Sequence, residues 1–126
     1  MMFRNLMIVS TIISLGFGVA FVLIPAPLTA LYGLGLTQAG TVMTRLLGIE
    51  LSGYGLLAWL VRDAVDSDIR RAILLAFFIT DAAGFLVSLI IQLSGLMNPL
   101  GWMIVGIYLF FAISFGYFRF MKPTDS

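Results

Sequence analysis

Four long apolar stretches fill most of this chain, and away from their ends they hold only three charged residues, Arg45, Glu50 and Asp81. The hydrocarbon core of a bilayer takes about 20 consecutive apolar residues per helical crossing. In lipid, backbone N–H and C=O groups must be satisfied inside the segment, which a helix does and an isolated strand cannot. The sequence therefore predicts an all-α integral membrane four-helix bundle. Composition agrees, with 61% hydrophobic residues, 10% charged residues and a mean hydropathy of +1.11. A water-soluble chain carries about 25% charged residues to cover its surface.

The same composition removes several function classes. A net charge of +1 points to no nucleic acid and to no acidic partner. With neither Cys nor His in the chain, disulfides, Cys/His zinc sites, iron–sulfur ligation and the usual haem ligands are absent. No cofactor and no metal site is expected from these residues. A Ser/His or Cys/His nucleophile system lacks its base, so no catalytic residue is assigned. Gly53-Tyr-Gly-Leu-Leu-Ala matches a dinucleotide fingerprint as a string. It lies inside an apolar run with no strand before it, so the geometry that cradles a phosphate is missing.

The chain reads as a single domain with spans at about 6–24, 42–61, 69–93 and 100–121. Met2-Phe3-Arg4 before an apolar run has the look of a signal peptide, but the run is too long and Ile24-Pro25-Ala26-Pro27 is a poor cleavage site. Pro25 and Pro27 break the first helix. The uncharged connector that follows keeps Leu28, Leu31, Tyr32 and Leu34, which predicts a short helical segment lying in the headgroup region. Thr37 reads as the N-cap of the second span, Asp66-Ser67-Asp68 offers N-cap oxygens to the third, and Asn98-Pro99 reads as N-cap and first helical residue of the fourth. Trp59, Trp102, Tyr117, Phe118 and Phe120 read as interfacial anchors, and Phe77, Phe78, Phe110 and Phe111 as lipid-facing or packing residues.

Topology follows from the cations. Arg4, Arg62, Arg70, Arg71, Arg119 and Lys122 all fall on one side, and the two other connectors carry no charge. The positive-inside rule then places both termini in the cytoplasm.

Small residues predict how the spans pack. Ser10, Ser14 and Gly18 recur every fourth residue in the first span, Gly48 and Ser52 in the second, and Gly84 and Ser88 in the third. Such stripes let backbones approach closely, which matters where no hydrophobic effect acts between helices. They serve either plain bundle packing or a surface for another membrane subunit.

Asp81 lies ~18 Å along the third span, near the bilayer midplane, where an ionised, unpaired carboxylate costs on the order of 3 kcal/mol or more. Gly84, Ser88 and Gln92 continue its face outward as a polar stripe. Glu50 enters the second span from the outer side, and Arg45 lies nearer the outer surface. Five residues separate Arg45 from Glu50, about 140° around the helix, so the two do not pair within it. Any carboxylate partner of Arg45 is expected on another helix, with Asp81 the nearest candidate. Two readings of this cluster stay open. One is a neutralised group that sets helix register. The other is a pocket of Arg45, Glu50, Asp81, Ser88 and Gln92 that binds a small molecule or passes a proton.

Several segments carry a resemblance: Ile24-Pro25-Ala26-Pro27-Leu28 with Leu31-Tyr32-Gly33, Arg45-Leu46-Leu47-Gly48-Ile49-Glu50 with Gly53, Gly55 and Trp59, Asp81, and Asn98-Pro99-Leu100-Gly101-Trp102. Together they resemble small uncharacterised bacterial four-helix membrane proteins of the DoxX-like superfamily. The resemblance implies a four-helix bundle of the bacterial inner membrane with an Arg–acid cluster between its second and third helices. Some relatives are named as subunits of quinone-linked oxidoreductases, an activity no motif here carries.

The expected function is that of a non-enzymatic accessory or structural subunit packing against a larger membrane complex. Its expected partners are lipid and either other membrane subunits or a second copy. The alternative is a transporter or binding protein using the Arg45–Glu50–Asp81 pocket, and a weaker one is a quinone- or lipid-binding redox subunit.

Overall fold

The computed structural model describes residues 2–121, and all of its regular structure there is helical. Lys122 and the polar tail after it, counted above among the flanking charges, lie outside the described residues. Five α-helices follow in order: α1 (Phe3–Leu23), α2 (Pro25–Ala30), α3 (Gln38–Leu60), α4 (Asp68–Leu93) and α5 (Gly101–Gly116), the last continuing as a π-helical turn over Tyr117–Met121. By internal contacts the chain divides into two compact units, one of residues 4–62 and the other of residues 1–3 with 63–126.

Local chemistry explains each boundary. Pro25 forces the residue before it out of the helical region, so α1 stops at Leu23 and Ile24 adopts φ −135°, ψ 60°. Pro25 then opens α2, which realises the short connector helix expected from the sequence. Gly33, at φ 78°, reverses the chain after α2. Thr37 caps α3 as expected, its Oγ1 accepting from the Gly40 N–H at 3.0 Å. Ser67 is the residue of its trio that caps α4, accepting from Arg70 N–H at 3.2 Å. Gly95, at φ 82°, takes the left-handed position that ends α4.

One boundary needs correction. Asn98-Pro99 does not open the last helix, which begins at Gly101 without a side-chain cap. Asn98 Oδ1 instead accepts from Leu100 N–H, two residues on, at 3.1 Å, and its carbonyl accepts from Gly101 N–H at 2.9 Å. The Asn side chain closes its own turn, an alternative always open to this residue type.

Among the described residues, three helices are long and apolar enough to cross a membrane, Phe3–Leu23, Asp68–Leu93 and the continuous Gly101–Met121. The fourth expected span, α3, has the length at 23 residues but is not among them. Arg45, Glu50 and a scatter of Gly, Ser and Thr lower its apolar character.

Within the second unit, α4 and α5 pack antiparallel. Phe77 meets Phe115 edge-on at 5.2 Å between ring centroids, Phe78 meets Phe120 at 5.5 Å, and further along Gly84 receives the Tyr108 ring. Phe77, Phe111 and Phe115 are buried packing residues, while Phe110 is exposed. Of the residues read as interfacial anchors, Trp59, Trp102, Tyr117 and Phe120 are exposed, whereas Phe118 is buried and meets the Phe3 ring edge-on at 6.2 Å.

Candidate functional site

The polar residues singled out from the sequence divide between the units. Ser10, Ser14, Gly18, Arg45, Gly48, Glu50 and Ser52 belong to residues 4–62, and Asp81, Gly84, Ser88 and Gln92 to the other unit.

On α4, Arg70, Leu74, Phe77, Asp81, Ser88 and Gln92 are buried and recur every three, four or seven residues, which places them on one helix face. Ile79, Leu86, Val87, Ile90 and Leu93 are exposed on the other face. The polar stripe expected on this helix therefore points inward, with Asp81 only 5% exposed. Tyr108 lies against Gly84, three residues on from Asp81, and within electrostatic reach of its carboxylate. The Ser88 hydroxyl donates to the Phe85 carbonyl of its own helix at 3.2 Å.

Gln92 has a role that sequence reasoning missed. Its Nε2 donates to the Asn98 carbonyl at 3.2 Å, the same oxygen that receives Gly101 N–H. Its Oε1 is buried with no hydrogen-bond partner among the described residues and sits where a Cβ on Gly101 would fall. The side chain thus latches the α4–α5 turn, and Gly101 leaves the room for it.

Within residues 4–62 the small-residue stripes do meet. A Cβ on Gly18 would strike Ser52 Oγ and come within 2.8 Å of the Gly48 carbonyl. A Cβ on Gly48 would come within 2.6 Å of the Gly18 carbonyl. The Ser52 hydroxyl is directed back to Gly48 O at 2.7 Å, so the contact face stays satisfied. Gly55 extends the seam, its Cβ direction opening 3.1 Å from Ser14 Cβ. Ser10 is 1% exposed, and its Oγ has no hydrogen-bond partner among the described residues.

The opposite face of α3 is open. Arg45 and Glu50 are both exposed and make no hydrogen bond or ion pair among the described residues. Val42, Leu46, Ile49, Leu56 and Leu60 around them are all more than half exposed.

The cations at the helix ends are more engaged than their flanking positions suggest. Arg70 is 4% exposed, donates from Nη1 to the Ala64 carbonyl at 3.0 Å, and holds its guanidinium 3.7 Å over the Phe3 ring. A desolvated cation–π contact of this kind contributes about 2 kcal/mol. Arg62 lies 3.6 Å over the Trp59 ring, and Arg71 pairs with Asp66 at 3.3 Å and Asp68 at 3.0 Å. No protein-family model, curated protein or solved structure matches this chain.

Proposed function

We propose that the chain is a four-span protein of the bacterial inner membrane with both termini cytoplasmic, acting as a non-enzymatic accessory or structural subunit of a larger membrane complex. The observation that carries this reading is the exposure of Glu50 near the middle, and of Arg45 nearer the start, of a helix as long as a bilayer crossing. An ionised group facing hydrocarbon costs about 3 kcal/mol at the centre of a span and less toward its end. A protein surface covering α3 removes that cost, and α3 then spans with the other three helices. The likeness of segments 24–28, 45–50 and 98–102 to DoxX-like proteins supports the four-span architecture.

Gentle extraction from the native membrane followed by native mass spectrometry tests it. The expected result is this chain in fixed stoichiometry with a larger, different membrane protein. Release without any different protein overturns it.

A second reading, a proton-coupled or small-molecule transporter, draws on the buried stripe of Asp81, Ser88 and Gln92. It predicts that wild-type protein in vesicles loaded with a pH dye passes protons and that folded Asp81→Asn does not. Equal flux in the two proteins removes it.

A further inference from the structure

The exposed face of α3 has a heptad order. Ala39, Val42, Leu46, Ile49, Gly53, Leu56 and Leu60 alternate by three and four residues, the spacing of the a and d positions of a two-stranded coiled coil, and every one of them is exposed. In that register Arg45 occupies g and Glu50 the following e. The residues that touch α1, Gly48 and Gly55, fall on c positions, and buried Ala58 on f, all away from the seam. The seam is thus complete, and its residues are exposed among the described residues.

We propose that α3 is the interface of a parallel homodimer, closed by two symmetric ion pairs between Arg45 of one copy and Glu50 of the other. The charge pattern selects this occupant. In a parallel pair, a g residue of one helix faces the e residue five positions later on its partner, and five is the separation of Arg45 from Glu50. Two copies inserted with the same topology in one membrane present α3 in parallel. The same separation that keeps the two charges about 140° apart on one helix sets them on the two flanks of the seam. A second copy therefore supplies both missing counter-charges at once, whereas an unrelated helix must carry an acid and a base in the inverse arrangement. Gly53, at an a position with nothing within 4 Å of its Cβ direction, lets the two backbones approach. With this pairing, each charge meets its counter-charge at the edge of the seam.

The inference shares with the proposed function the premises that α3 spans the membrane and that protein covers it. Its test uses the full-length chain in native membranes, where the absence of Cys makes single-cysteine cross-linking clean. Ile49→Cys, on the seam, is expected to form disulfide-linked homodimers under mild oxidation, and exposed Leu47→Cys, off it, is not. For the charges, Arg45→Glu is expected to weaken dimerisation roughly tenfold or more, as two lost pairs of ~0.7 kcal/mol each predict. Arg45→Glu with Glu50→Arg reverses both flanks and is expected to restore it. Equal cross-linking at 49 and 47, or a double swap as weak as the single change, overturns the proposal. Cross-linking of Ile49→Cys with no different protein in the extract leaves the dimer standing and removes the larger complex. A single copy bound to a different chain does the reverse.

Discussion

Replacing Gly48 by alanine tests whether the α1–α3 approach holds residues 4–62 together. The new Cβ would lie 2.6 Å from the Gly18 carbonyl and 2.9 Å from both Phe21 Cβ and Val22 Cγ2. Carbon contacts are comfortable at about 3.5–4.0 Å, so α1 and α3 must separate by roughly 0.7 Å or more, because a backbone oxygen cannot rotate aside. Overpacking of this kind costs about 1–3 kcal/mol. Alanine's better helix propensity returns at most about 1 kcal/mol, and less where the unfolded reference in a membrane is already helical. The expected net loss is about 1–2 kcal/mol. Gly16→Ala is the control, since nothing lies within 4 Å of its Cβ direction. It is expected to be neutral or to stabilise by up to about 1 kcal/mol. Unfolding in mixed micelles on titration with dodecyl sulfate, followed by the fluorescence of Trp59 in a Trp102→Phe background, reads both. Adding Gly18→Ala to Gly48→Ala should cost less than the sum of the single changes, because one separation relieves both contacts. If Gly48→Ala and Gly16→Ala unfold at the same detergent fraction, the close approach is not what stabilises this unit.

Three further outcomes follow from particular contacts. Thr37→Ala removes the acceptor of the Gly40 N–H and is expected to cost about 1 kcal/mol, seen as faster amide exchange at Gly40 and Thr41, while Thr37→Ser keeps protection. Gly84→Ala drives a methyl into the Tyr108 ring and is expected to destabilise α4–α5 packing by about 1–3 kcal/mol. In a Tyr108→Leu background the same change should be nearly silent. Tyr32, outside the spans, has its pKa raised above 10.0 by burial, so the folded chain keeps this proton longer than the unfolded one. The resulting stability is present in full below the unfolded pKa and is lost as pH rises through the folded one. Melting temperature should begin to fall as pH rises past about 10 in the wild type, and fall less in Tyr32→Phe.

Much of the helix pattern was legible because it depends on near neighbours. Pro25 ends α1 and Thr37 caps α3 through groups within four residues, so the string suffices to place them. Asn98 shows the limit of such reasoning. A side-chain oxygen that can cap a helix can equally close its own two-residue turn, and which one wins depends on where Gln92 and Gly101 leave the Asn98 carbonyl. The stripes of small residues announced a close helix contact, but not that Gly18 would face Gly48 and Ser52, nor that Gly55 would join.

The charges divide most clearly between the two levels. Sequence alone determined that Arg45, Glu50 and Asp81 stand inside long apolar runs, since the lack of other charge and the length a bilayer requires are both read along the chain. Tertiary structure decided which of them is covered. Helical periodicity groups residues into faces but does not say which face a neighbour occupies, so the burial of Asp81 and Arg70, and the exposure of Arg45 and Glu50, emerge only once the helices are packed. The heptad of α3 was present in the string throughout. It became a candidate interface only when α1 was seen to take the opposite face, because a seam binds a partner only if its own chain leaves it open.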